Sequence, residues 1–204
     1  MTEWIQGLIE VLTSMGDAIL PRPSENSRQD ANERLHMPLV QIEDLPDSAR
    51  AWVFGADHDL DESAADLLLR DVDRFLSQWH AHGAPLTAAR DWKYRRFLTV
   101  AVDQSTAGAS GCSIDGLFRS LKALEPRLGG SLVTSGLLFY RDRKGRIQAV
   151  DRDRFTELNA EGKIGPETQV FDLTVTTLGE WKARFELSIG DSWHAKLLEK
   201  SQPA

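Results

Sequence analysis

Val102-Asp103-Gln104-Ser105-Thr106-Ala107-Gly108-Ala109-Ser110-Gly111-Cys112-Ser113-Ile114-Asp115 is the stretch on which the reading of this chain turns. It places two glycines, four hydroxyl side chains, the single cysteine and two carboxylates between an alternating apolar run and a helical run. A strand-to-helix connection of this kind presents backbone N–H groups at the positive end of a helix dipole, where an anion or a thiolate is stabilised. Gly108, Ser110, Gly111 and Ser113 are therefore candidate ligand-binding residues for a small anion. Cys112 stands at or just before the helix start, a position that can lower a thiol pKa. The simpler reading is a tight connection with a small, buried, inert cysteine.

Known signatures narrow this loop. No G-x-x-x-x-G-K-[ST] occurs anywhere, so an ordinary P-loop ATPase is excluded. Cys112 occupies the place of the last glycine in G-x-S-x-G, so the hydrolase elbow fails as well.

On the N-terminal side, Trp92 to Asp103 reads as one long strand. Trp92, Tyr94, Arg96, Leu98, Val100 and Val102 alternate with Lys93, Arg95, Phe97, Thr99, Ala101 and Asp103. Arg96 is the odd member of its apolar face. If it lies inside, it needs a carboxylate or an anionic ligand, and otherwise it reaches water along its own stem. On the C-terminal side, Ile114, Leu117, Phe118, Leu121 and Leu124 mark a helix that Ser110 or Ser113 caps, with Asp115 in its first turn and Pro126 closing it.

Further upstream, Ala51-Trp52-Val53-Phe54 is a short strand ended by Gly55. The acidic run Asp57 to Glu62 lacks the alternation of an EF-hand, and is read as a solvated turn that favours a helix start. Ala65, Leu68, Leu69, Val72, Phe75, Leu76 and Trp79 then form one apolar stripe, with Ser63 and Asp66 as its capping pair. His80 and His82 fall in its last turn and Gly83 is its C-cap. Their simple role is to meet the negative helix end; the chemical role would be a general base or a metal ligand, and ligation is the poorer reading because a His-x-His pair does not face one way on a helix.

The N-terminal 20 residues carry Trp4, Ile5, Leu8, Ile9, Leu12, Met15 and Ile19 on one helical face, and Pro21 and Pro23 end the run. This amphipathic arm must bury its stripe on the rest of the fold or on a second copy. It has no Lys or Arg to meet anionic lipid. Residues 21–48 read as a linker.

The chain has 204 residues, 41% hydrophobic and 27% charged, which suits an ordinary globular protein. A net charge of −7 opposes a broad phosphate-binding surface, so nucleic acid is not expected as a partner. No run of about 18 uncharged apolar residues occurs, so no membrane span is expected. Glu10 and Asp17 interrupt the first apolar run, unlike a signal peptide, and one cysteine cannot close an internal disulfide. The expected location is the cytoplasm. No cofactor motif and no metal-binding spacing is found.

In the C-terminal third, Leu137–Tyr140 and Arg146–Val150 flank a turn at Gly145. Asp151 caps a helix that Gly162 stops, Gln169–Phe171 is a strand, and Thr177 with Glu180 makes a capping box. Phe139-Tyr140, Gly145, Phe155, Leu158, Gly162-Lys163-Ile164, Pro166 to Phe171 and Trp181 together resemble the bacterial GYF-like domain over about Leu137 to Ile189. Gln148-Ala149 stands where that family has Gly-Pro. The resemblance implies a module that binds proline-rich peptides on an aromatic surface, carried here by Phe139, Tyr140, Phe171 and Trp181. Trp79 to Leu86, Ala107 to Asp115 and Asp191 to His194 also resemble a bacterial family of uncharacterised proteins, which implies no activity.

The expected fold is α+β: a helical arm (1–20), a linker (21–48), a small mixed α/β region with the glycine-rich loop (49–132) and a GYF-like ββα module (133–200). The leading function is a non-catalytic cytoplasmic binding or adaptor protein, with a protein or peptide partner or a small anion. The alternative is a cysteine-dependent enzyme with Cys112 as nucleophile, His80, His82 or His194 as base, and Asp103 or Asp115 orienting it.

Overall fold

Strand β5, Phe97–Val102, has every residue buried, because structure covers it on both faces and both edges. It pairs antiparallel with β1, Arg50–Gly55, on one side and with β4, Ala88–Lys93, on the other. The computed structural model describes residues 40–105, 108–133 and 136–199. The arm and most of the linker expected before residue 40 lie outside the described residues.

Alternation along β5 divides the core. Leu98, Val100 and Val102 face two helices, α1 (Glu62–Ser77) and α2 (Gly111–Leu128), and pack with Leu68, Val72, Leu117 and Leu121. Arg90 on β4 clamps this layer with a two-pronged pair to Asp73 of α1 at 2.6 and 2.8 Å. Phe97 and Ala101 point the other way, with Ala51 and Ala89, into a second core. Ile42 and Leu45, within the stretch expected as linker, are buried there too.

That second core is shared with a four-stranded antiparallel sheet. Its strands are β6 (Leu138–Arg141), β7 (Ile147–Val150), β8 (Gln169–Phe171) and β9 (Glu186–Ser188), in the order β7-β6-β8-β9. Phe97 is fully buried, with ring centroids 5.2 Å from Phe139, 4.7 Å from Phe171 and 5.3 Å from Phe185. The far face of this sheet buries Leu138, Tyr140 and Val170 against α3 (Arg152–Ala160), with α5 (Ala195–Glu199) beside it. Helix α4, Leu178–Arg184, adds Leu178 and Trp181 to the shared core. The fold is α+β, with antiparallel sheets. Among the described residues no helix is long and apolar enough to cross a membrane.

Several local expectations hold. Asp151 caps α3 by accepting from the Arg154 amide, and Gly162 follows it at φ 65°. Thr177 accepts from the Glu180 amide to start α4. Ser110 caps α2 by accepting from the Ser113 amide.

Others are corrected. The run Trp92 to Asp103 is not one strand but a hairpin, because the chain reverses at Tyr94 and Arg95, both at φ 57°. Neither is a turn residue by preference; tertiary bonds hold them, with Tyr94 donating to Glu186 at 2.7 Å and Arg95 Nε to the Leu60 carbonyl at 3.0 Å. Helix α1 is capped by Asp61, not Ser63, and stops at Ser77. His80 and His82 belong instead to a small hairpin of β2 (His80–Ala81) and β3 (Ala84–Pro85), whose turn has His82 at φ 52° and Gly83 at φ 81°. Pro126 does not close α2, which runs on to Leu128 and ends at Gly129, φ 70°. Because Ser110 is the N-cap, Asp115 lies beyond the first turn of α2, which holds no acidic residue. The last helix, α5, opens at Ala195. The C-terminal part has four strands and three helices, richer than a ββα unit.

Phe97→Ala removes the ring common to both sheets. It should cost about 3–5 kcal/mol by chemical denaturation, the usual penalty for emptying a fully buried phenylalanine site. A loss below about 1 kcal/mol would mean that the two sheets do not depend on this contact.

Candidate functional site

The glycine-rich loop is shaped by its own side chains. Asp103 accepts from the Ser105 amide and hydroxyl, both at 2.9 Å, so its carboxylate is spent on the turn. The Ser113 hydroxyl donates to the Ser110 carbonyl, and Trp79 Nε1 donates to the Ser113 carbonyl at 3.0 Å. These bonds fix the start of α2 against the small hairpin. Gly108 and Gly111 face open space where a Cβ would stand, so the described fold does not require glycine at either. The Gly111 and Cys112 amides have no acceptor among the described residues, as is usual in a first helical turn.

Cys112 is exposed, where a lone cysteine is expected to be buried. Two glycines and short polar side chains leave nothing to cover it. Among the described residues its sulfur has no histidine within hydrogen-bonding distance. His80 is exposed and its Nδ1 donates to the Gln78 carbonyl at 2.6 Å; His82 is exposed in the hairpin turn. Asp115 is exposed on α2.

His194 lies in a different core, 1% exposed, stacked 3.9 Å from Trp193 and near Phe155. Ser192 gives its hydroxyl proton to the Ile189 carbonyl, so Nδ1 of His194 carries the ring proton and donates to Ser192 Oγ at 3.1 Å. Burial pushes the imidazole down to about 4, against a weaker pull upward from Asp172. The structure thus brings Ser110, Gly111, Cys112 and Ser113 together, and keeps His194 apart from them.

Arg96 has the carboxylate partner that an inward arginine needs. It is 5% exposed, pairs with Asp59 at 2.9 Å and donates to the Ile147 carbonyl at 2.8 Å. Burial lowers its pKa, and Asp59 and Asp57 oppose that. It is a structural tie between the sheets. The four aromatics expected on a peptide-binding surface are all buried: Phe139, Phe171 and Trp181 in the shared core, Tyr140 under α3. Their rings are consumed by packing, so they form no surface.

Among the described residues no group of three His, Cys, Asp or Glu side chains could hold a metal ion. The chain matches no protein-family model, no curated protein and no solved structure.

A cleft of about 670 Å³ lies beside β1, between the two sheets. Trp52, Phe118, Leu132, Leu173 and Trp193 wall it, and its charged lining residues, Arg50 and Arg152, are both basic. Trp193 is held by its Nε1 donating to Asp172 at 3.0 Å. Sequence reasoning missed this place. The strand 51–54 is legible, but nothing local says that one of its edges is left uncovered by the described residues.

His194 makes stability depend on acid. Its folded pKa of about 4 lies below the ordinary 6.5, so between those values the unfolded chain binds more protons. Its contribution is complete above pH 6.5 and is lost as pH falls toward about 4. Denaturant midpoints measured across this range should fall for the native protein and fall less steeply for His194→Gln. Parallel slopes for the two proteins would remove this role.

Proposed function

We propose that this chain is a non-catalytic binding protein of the cytoplasm, an adaptor rather than an enzyme. One observation carries the reading: the Cys112 thiol is exposed at the start of α2, while His194 is buried beside Trp193 and Phe155. A cysteine nucleophile needs a base within about 3 Å, directly or after closure. His194 would have to leave a packed site between Trp193 and Phe155 to serve, and the Asp103 carboxylate is already engaged by Ser105. The likeness of Leu137 to Ile189 to the GYF-like domain supports a peptide or protein as ligand, held elsewhere than on the buried rings of Phe139, Tyr140, Phe171 and Trp181. The unpartnered amides of Gly111 and Cys112 support a small anion at the loop as a lesser ligand. A single free cysteine agrees with a reducing compartment.

The exposure of Cys112 invites a direct test against the cysteine-enzyme alternative. Iodoacetamide should label the native protein at Cys112, and His80→Gln, His82→Gln and His194→Gln should each leave that rate within about two-fold. A drop of about ten-fold or more in a folded histidine variant would identify a base acting on the thiol, since general-base assistance is worth at least that much. That outcome would put the enzyme first.

A further inference from the structure

We propose that the cleft beside β1 takes an extended peptide segment of another protein, apolar along its length and flanked by a carboxylate, which adds to β1 as an extra strand. This rests on the binding-protein reading and names its site and partner.

The argument begins with backbone parity. Even-numbered residues of β1 turn their N–H groups toward β5, and the direction continues past the strand end, where the Ala56 amide donates to the Arg96 carbonyl at 2.8 Å. Odd-numbered residues turn outward. The Ala51 amide donates outward to the Thr176 carbonyl at 2.9 Å, and the Asp57 amide donates outward to the Ser131 carbonyl at 3.0 Å. Between these two tethers, Val53 and Gly55 direct N–H and C=O groups outward with no partner among the described residues, but Gly55 is buried where the second sheet closes on it, so the accessible part of the edge is centred on Val53. Val53, at the middle, is only half-buried. An open edge strand is a template for a further strand, with main-chain bonds giving affinity and side-chain pockets giving selectivity.

The walls fit such a guest. Segment 173–176 starts alongside β1 at Thr176 and then departs, because Asp172 folds it by accepting from the Thr174 amide at 2.8 Å and hydroxyl at 2.6 Å. The gap so opened is lined by large apolar side chains and has a volume within the range of sites that enclose small ligands. Charge selects among guests. In a chain of net charge −7, the cleft's described lining has two arginines and no carboxylate. Neither Arg50 nor Arg152 has an ion-pair partner among the described residues; Arg50 lies over the Trp52 ring at 4.9 Å. A guest carboxylate would pair with one or both, and the electrostatic match would steer the approach of an acidic segment.

The test uses the full chain, isotope-labelled, with three synthetic peptides of one Val/Thr-alternating core. One has Asp flanks, one Lys flanks, and one Asp flanks with the core amides N-methylated on the pairing edge. The Asp peptide should shift the Val53 and Gly55 amides and the indole resonances of Trp52 and Trp193. N-methylation should weaken it about five- to ten-fold, the worth of one or two main-chain hydrogen bonds. Arg50→Glu with Arg152→Glu should reverse the preference between Asp and Lys flanks, a sign change that mere loss of stability would not produce. A second variant, Val53→Pro, keeps the charges and removes the central donor, and should bind the Asp peptide as weakly as the wild type binds the N-methylated one.

No shift at these amides at about 1 mM peptide, where even weak binding of about 4 kcal/mol would register, overturns the proposal. Shifts confined to the loop around Gly111 overturn it while leaving the binding-protein reading intact. Broadening of the Val53 and Gly55 amides with protein concentration alone would make a second copy of the chain the occupant, and overturns it as well.

Discussion

The structure hangs on Phe97, which sits at the first residue of the central strand and reaches across into the neighbouring sheet. Its ring meets Phe139 on β6, Phe171 on β8 and Phe185 after α4 at centroid separations of 4.7 to 5.3 Å. Edge-on and tilted contacts of this kind add to the large area that each ring removes from water. The consequence is geometric as much as energetic. A Cβ on Gly55 would lie 2.6 Å from the Phe139 ring, so glycine is what lets β1 close on the second sheet at that point. A strand carrying any other residue there would be pushed off, and the cleft beside it would change shape.

The hairpin before Phe97 exists to deliver that ring. Tyr94 and Arg95 both adopt left-handed backbone, which costs on the order of 1–3 kcal/mol per residue and needs compensation from elsewhere. The compensation is visible on three sides. Tyr94 donates to Glu186, which Arg141 also holds at 2.7 Å, while the Arg141 guanidinium lies 4.5 Å from the Tyr94 ring centre. Arg95 and Leu60 exchange two bonds, one through the side chain and one through the backbone. Arg96 spans from Asp59 to the Ile147 carbonyl. Three consecutive residues are thus pinned to three different parts of the chain. The charged partners of this turn are local in space and distant in sequence, and that is why an alternating pattern from 92 to 103 looks like one strand when read alone.

The same distinction explains what was legible. The caps of α2, α3 and α4, the β6–β7 turn and the apolar stripes of α1 and α2 are set by residues within four positions of one another, and those expectations hold, whereas the caps expected for α1 do not. Ser110 and Asp151 cap where their spacing says they should. Pro126 misleads because proline lacks a donor but does not forbid the last turn of a helix, and Glu125 secures the exit by accepting from the Leu132 and Val133 amides. The glycine-rich loop is recognisable as a loop before a helix. Its chemistry is not, since neither the exposure of Cys112 nor the burial of His194 is encoded near those residues. Aromatics are the sharpest case: Phe139, Tyr140, Phe171 and Trp181 read equally well as a binding surface or as core, and distant partners decide for core, Phe97 against Phe139 and Phe171, Phe185 against Trp181 and Phe155 of α3 against Tyr140.

An open edge on β1 is a consequence of this arrangement rather than an accident of it. Among the described residues the first sheet stops at β1, and the polypeptide that runs beside its edge, residues 172–177, is committed at both ends. Asp172 ties one end into its own turn and to Trp193, and Thr177 ties the other into the cap of α4. At the far end, the chain after α2 comes back to meet Asp57, on a path so close that a Cβ on Gly130 would meet the His58 ring. Neither tether can slide along β1 to reach Val53 without breaking the bonds that fix it. Exposed strand edges invite unspecific pairing, and proteins normally cover or charge them. Here the edge is recessed between Trp52, Leu173 and Trp193, and Arg50 puts a charge beside it. The features that protect the edge from aggregation are the ones that would make it selective.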